Sequence, residues 1–215
     1  MSKTVLITRP NYDVTTNYFH QWSEEVIRLA VTRKHKVLDL DGKKSNRETF
    51  ESYAKKHKPD FFFFNGHGSD TILAGFNNEP ILTAGDNDSI CSQSIVYIRS
   101  CSGAQVLGVY LVKQGTKAFI GYVNKFGFMR LVEKESRPLS DPLARLFLAP
   151  SNIVATTLLK GHPASEAHQR SLREMKKNLR KLLSSENPLS DSTGAVLLWS
   201  NIRGQTLLGN PNAVI

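Results

Sequence analysis

Cysteine is scarce in this chain: Cys91 and Cys101 are the only two among 215 residues. Two thiols exclude a disulfide framework, and no Cys/His spacing resembles a zinc site, so no metal and no cofactor is expected. Long apolar runs are lacking too, with none of membrane-spanning length, and no membrane partner is expected. The amino-terminal MSKTVLITRP enters a strand directly, without the apolar core of a signal peptide, so the expected location is cytoplasmic. Carboxylates are in deficit, 19 Asp and Glu against 28 Lys and Arg, a formal net charge of +9. Such an excess invites a nucleic-acid reading. Much of it, however, falls in Lys55 to Lys58 and in Arg170 to Lys181, where basic residues alternate with Leu172, Met175, Leu179 and Leu182 at helical spacing. That is the wet side of an amphipathic helix. No zinc finger, RNP motif or helix-turn-helix signal accompanies it, and nucleic acid is not the expected primary ligand.

What the chain does have is a pair of abrupt strand ends. Asp60 to Asp70, DFFFFNGHGSD, and Ile95 to Gly103, IVYIRSCSG, are each a short apolar run that breaks into a small polar loop. The first loop carries His67 between two glycines, the second carries Cys101. In an open α/β sheet reactive groups sit just past the carboxyl ends of the strands, so neighbouring strands of this kind would present an imidazole and a thiol to one crevice. That is the pairing of a nucleophile and its base. The N–H groups of Gly68 and Cys101 are candidates for an oxyanion hole, and a helix opening at Ser102 to Ala104 would favour the thiolate. Asn65 or a backbone carbonyl is a candidate to orient the ring. Taken singly, a loop histidine is more often a turn member and a cysteine after a strand a small buried hydrophobe. The joint placement carries the reading. Cys91, in the loop Asp86 to Ser94, lacks it, and His162 and His168 are expected to face solvent.

The rest alternates strand and helix. Thr4 to Thr8 is a strand, Asp13 to Arg33 a long amphipathic helix, Lys36 to Leu40 a strand, and Ser45 with Glu48 a capping box for a helix to about Lys56. The phenylalanine run Phe61 to Phe64 is too continuous for a one-sided strand and is expected to be central, covered on both faces. Asn77-Asn78 suggests a hairpin over residues 71 to 84. Gln105 to Lys113 reads as a helix and Lys117 to Tyr122 as a strand. Residues 124 to 141, of mixed charge and without a clear period, read as a flexible exposed loop. From Pro142 the pattern is helical, with a break near Pro150 and a long helix from about Ala164 to Ser184. Strands alternating with helices predict a mostly parallel sheet between helical layers, in a single domain covering residues 1 to 215.

An apolar strand ending in His-Gly, followed by one ending in a small residue and Cys, resembles the caspase-like cysteine peptidases of clan CD. The 34-residue spacing between His67 and Cys101 suits the compact bacterial CHAT and gingipain-like branch. Gly108 to Phe126 is similar to the helix and strand after the nucleophile in that branch, and Ala195 to Val214 to its closing hairpin. The resemblance implies a three-layer α/β/α sandwich with a C-terminal hairpin. It further implies endopeptidase activity with His67 and Cys101 as the dyad, a protein or peptide substrate, and a possible regulatory partner in a defence or signalling system. Basic residues at 130, 134 and 137 fall where caspases are cut. For the residue before the scissile bond, charged candidates are Asp13 and Arg9 after the first strand and Asp86 and Asp88 before the cysteine strand. Asp13 suggests a basic preference. Arg99-Ser100-Cys101-Ser102-Gly103 departs from the caspase Gln-Ala-Cys-Arg-Gly, so aspartate specificity is not inherited. A catalytically silent interaction domain and a thiol acyltransferase are the alternative readings.

Overall fold

Six strands form one sheet in the order β2-β1-β3-β6-β7-β8 in the computed structural model, which describes residues 2–215. The strands are β1 (Thr4–Arg9), β2 (Lys36–Asp41), β3 (Phe61–Asn65), β6 (Ile95–Arg99), β7 (Ala118–Tyr122) and β8 (Gln205–Gly209). The first five run parallel, and β8 closes the sheet by pairing antiparallel with β7. A separate small hairpin, β4 (Ile72–Ala74) and β5 (Pro80–Thr83), turns through Asn77 and Asn78, both at positive φ. The helices are α1 (Val14–Trp22), α2 (Glu24–Thr32), α3 (Arg47–His57), α4 (Leu107–Lys113), α5 (Pro142–Leu159), α6 (Ala164–Leu183) and α7 (Ser192–Gly204). The three-layer, mostly parallel α/β/α architecture is the one expected from the sequence.

The period of two along each strand sorts the side chains between two cores. Val5, Ile7, Phe61, Phe63, Ile95, Tyr97 and Ile120 face α1, α2, α5, α6 and α7. Leu6, Phe62, Phe64, Val96, Ile98 and Phe119 face α3, α4 and the hairpin. All four phenylalanines of β3 are therefore buried, two to each face, and Phe63 stacks on its register partner Tyr97 with ring centroids 5.2 Å apart. Burying a Phe side chain contributes about 1.5–3 kcal/mol, and β3 alone supplies four.

Several local expectations give way to tertiary contacts. The single helix over residues 13 to 33 is two, α1 and α2, joined at Ser23. The buried Ser23 hydroxyl donates to the Phe19 carbonyl at 2.6 Å and accepts from Arg99 at 3.0 Å. A helix-interior serine that bonds back to the preceding turn bends the helix. Ser45 does not cap α3. Asn46 does, accepting from the Thr49 N–H at 2.8 Å, while the buried Ser45 hydroxyl bridges Leu40 and Arg9. Pro150 lies inside α5 without ending it. A proline there leaves the carbonyl four residues back without its donor, and the Asn178 side chain supplies one to Leu146 at 2.9 Å. By length and composition α5 is apolar enough to cross a bilayer, contrary to expectation, but 72% of it is buried inside the protein. Residues 124 to 141 are not a free loop: Phe126 and Asp141 are buried, and Phe128, Met129 and Leu131 pack on the core. Finally, residues 195–204 belong to α7, so the closing antiparallel pair is β7 with β8.

Candidate active site

The carboxyl ends of β1, β3, β6 and β7 meet at one edge of the sheet, and His67 and Cys101 lie there on adjacent strands. In the β3–β6 ladder Asn65 stands level with Arg99. His67 and Cys101 each follow two residues later, so both turns leave the sheet at the same height. The turns touch. A Cβ added at Gly68 would lie 2.9 Å from the Ser100 hydroxyl and 2.8 Å from the Ile72 carbonyl. That close approach requires glycine there. The Leu107 N–H, at the start of α4, donates to the Asp70 carbonyl at 2.7 Å and ties the two turns again.

His67 is held from a third strand. Past β1, Asp13 caps α1, its Oδ1 accepting from the Thr16 N–H at 2.7 Å. Its Oδ2 accepts from His67 Nε2 at 2.7 Å. Burial alone would raise the Asp13 pKa, but the Thr16 N–H and the imidazole hold it below the ordinary carboxylate value. With Nε2 carrying the proton toward an ionised Asp13, Nδ1 is left with the lone pair. Tyr12 stands edge-on to the ring at 6.2 Å between centroids, and its hydroxyl donates to Asn78 at the hairpin tip.

Cys101 is partly buried, and its Sγ points to the Phe126 carbonyl at 3.8 Å. Burial pushes the thiol's pKa up, and Lys125 pulls it part of the way back. No helix terminus offsets this: residues 101 to 106 are turns, Ser102 is at φ +54°, and α4 begins only at Leu107. The expected dipole at the sulfur is therefore missing. Among the described residues, neither the Gly68 N–H nor the Cys101 N–H donates to another group of the chain.

Beneath both turns lies a buried guanidinium. Arg99 donates to Asn65 Oδ1, Ser151 Oγ, Asn152 Oδ1, the Phe19 carbonyl and Ser23 Oγ, between the Phe19 and Phe63 rings. Every direct acceptor is neutral, and burial pushes its pKa down to about 10. Asn65 is thereby committed to Arg99 and to the Thr8 carbonyl, and it is Asp13 that bonds the imidazole. This fan of bonds fixes the end of β6 against β3, α1 and α5.

The four charged candidates for substrate contact are otherwise engaged. Both Asp13 oxygens are occupied by His67 and Thr16. Arg9 is buried, 2.5 Å from both Glu24 and Asp39. Asp88 is buried and accepts from the Gly85 N–H, and Asp86 pairs with Arg47 at 2.7 Å. Cys91 is fully buried beside Asp88, its thiol pKa driven upward by burial. His162 bonds Glu166, and His168, partly buried rather than solvent-facing, bonds Gln205. No group of three or more His, Cys, Asp or Glu suited to a metal occurs among the described residues. A cleft of about 550 Å³ lined by Lys55, Lys58 and Asp60 lies at the opposite, amino edge of the sheet.

No protein-family model and no curated protein sequence matches this chain. Among solved structures the fold is that of caspase-like clan CD cysteine proteinases. The chain superposes on gingipain R, an Arg-specific cysteine proteinase, with a TM-score of 0.64 at 10% identity over 99% of its length. It matches the complex of pro- and mature domains of RgpB from Porphyromonas gingivalis with a TM-score of 0.61 at 11% identity, again over 99% of its length. It spans about half of those proteins, 47% and 48% of their chains. At such identities the likeness establishes the fold.

Proposed function

We propose that this chain is a cysteine endopeptidase in which Cys101 attacks the scissile carbonyl and His67 moves the proton. The observation that carries the reading is the contact between two turns: Asp13 bonds the imidazole of His67, and the turn that bears that imidazole packs on the turn that bears the Cys101 thiol. A thiol with a raised pKa rests protonated, so the sulfur must turn from the Phe126 carbonyl and lose its proton as it attacks. His67 Nδ1 takes that proton, the S–C bond forms, and the Gly68 and Cys101 N–H groups receive the oxyanion. Collapse breaks the C–N bond, and His67 gives the proton to the departing amine. Water then adds to the thioester, again with His67 as base, releasing the acid and restoring the thiol. Asp13 keeps the ring in the required tautomer and stabilises its charged form.

A preference for a basic residue before the cut would rest on Asp13, whose two oxygens bond Thr16 and His67. Of the four charged candidates Asp86 is the most exposed, and it is paired with Arg47. A peptidyl acyloxymethyl ketone tests the dyad. It is expected to label the wild type and Cys91→Ala at Cys101, and to leave folded Cys101→Ala and His67→Ala unlabelled. Labelling that survives in His67→Ala, or none in the wild type across peptides ending in Arg, Lys, Asp and Leu, would sink the assignment. Acyl transfer to an added amine without hydrolysis would favour the acyltransferase instead.

A further inference from the structure

Far from the proposed dyad along the chain, α6 and α7 leave a groove between them that nothing in the molecule fills. Two adjoining clefts share Leu179 and Trp199. One, about 490 Å³, adds Leu172, Lys176, Ile202 and Arg203, and the other, about 300 Å³, adds Leu183, Ala195 and Val196. Leu183, Val196 and Trp199 are 65%, 70% and 55% exposed, which is costly for side chains of their size unless a partner covers them. The charge along the groove has one sign. Lys176 and Arg203 line it, no carboxylate does, and neither cation forms an ion pair among the described residues. Arg203 instead lies over the Trp199 ring at 5.8 Å.

The dimensions suit a helix. Leu172 and Leu183 are eleven residues apart on α6, about 16 Å at 1.5 Å per residue, or three turns. A recessed apolar channel of that length between two helices accepts a third helix through side chains at i, i+3 or i+4, and i+7.

The other side of α7 grips the segment that faces the sulfur. Asn201 makes a reciprocal pair with Gly127, Nδ2 to the carbonyl at 2.7 Å and Oδ1 from the N–H at 3.2 Å. Gly204 accepts from the Val123 N–H, and Asn124 reaches Ser200. Between these anchors, Phe126 offers its carbonyl to Cys101 and Asn124 its carbonyl to the Ser102 N–H.

We propose that the α6–α7 groove docks an acidic amphipathic helix of a partner protein, and that docking acts on Cys101 through α7 and residues 123–127. The docking stands apart from the peptidase reading, and its effect is read on the thiol rather than on turnover. The probe is a displayed library of helical 15-mers selected on the whole chain. Peptides with apolar residues at i, i+3 or i+4, and i+7 and Asp or Glu on the flanks are expected to enrich. Their binding should fall at least tenfold on Trp199→Glu and on the Lys176→Glu/Arg203→Glu double variant, all surface changes. A bound peptide is expected to change the iodoacetamide alkylation rate of Cys101 at least threefold, mapped by peptide mass. Enrichment of neutral or basic peptides, or binding indifferent to Trp199→Glu, would overturn the acidic-helix assignment. So would Trp199-dependent self-association of the wild type, or Trp199-dependent binding to vesicles of anionic phospholipid. Binding without a change in alkylation would overturn the link to Cys101.

Discussion

The turns after β3 and β6 leave the sheet side by side but are built to different tolerances. The His67 turn is pinned throughout: Gly66 lies against the Ala74 carbonyl, Gly68 against Ser100, and the ring against Asp13. The Cys101 turn is held by its backbone instead, the Ser102 and Ala104 N–H groups donating to the Asn124 and Tyr122 carbonyls, while its side chains are less tightly confined. A Cβ at Gly103 would make only ordinary van der Waals contact, its nearest atoms, on Ile98 and Ser100, 3.7 Å away, and Ser102 sits in a left-handed conformation. The sulfur's own bond to Phe126 is long and weak. In the proposed mechanism a base must hold one orientation, whereas a nucleophile that rests protonated and then attacks must be free to swing, and the difference in packing is the one those two duties would require.

Asp13→Asn probes the pinned side most sharply. Asn caps a helix as well as Asp, so the unfolding midpoint should barely move. Loss of the charge on the imidazole should lower kcat by about 10²-fold with KM unchanged. A fall in KM-controlled binding with kcat intact would contradict the positioning role. Next in size, Gly66→Ala places a Cβ 2.2 Å from the Ala74 carbonyl oxygen, and urea unfolding should register about 2–4 kcal/mol of destabilisation. Gly103→Ala should stay within about 0.5 kcal/mol. Equal costs at the two glycines would erase the contrast. Ser102→Gly relieves a left-handed residue and should gain about 0.5–1 kcal/mol in the same experiment. The smallest effect concerns acid. A carboxylate with a depressed folded pKa adds stability above its unfolded value, and that stability is lost as pH falls through the folded one. Below about pH 4 wild type should therefore lose stability slightly faster than Asp13→Asn, as followed by circular dichroism.

The strand ends were legible because their signals are local: four consecutive phenylalanines leave no polar face, and His-Gly and Ser-Cys follow at once. Asp13 stands out in the sequence for its charge, but its link to His67 does not, since it spans 54 residues and depends on α1 beginning where β1 ends. Asn178 satisfying the carbonyl freed by Pro150 is likewise invisible to a local reading, which saw only a helix breaker. The capping role expected of Ser45 and the unbroken helix expected across Ser23 fail for the same reason, because a buried hydroxyl takes whichever partner the neighbouring strand or helix presents. Residues 124 to 141 lacked a period because they cross the sheet edge in short turns, each apolar side chain anchoring separately.

The level pairing of Asn65 with Arg99 makes the spacing of the two turns a matter of counting. One residue inserted into Phe61–Asn65 would shift everything after it by about 3.3 Å along the strand and exchange the aromatic rings between the two cores. Changes in chain length are therefore confined to segments such as the β4–β5 hairpin tip, and the lengths of β3 and β6 are free to vary only in concert.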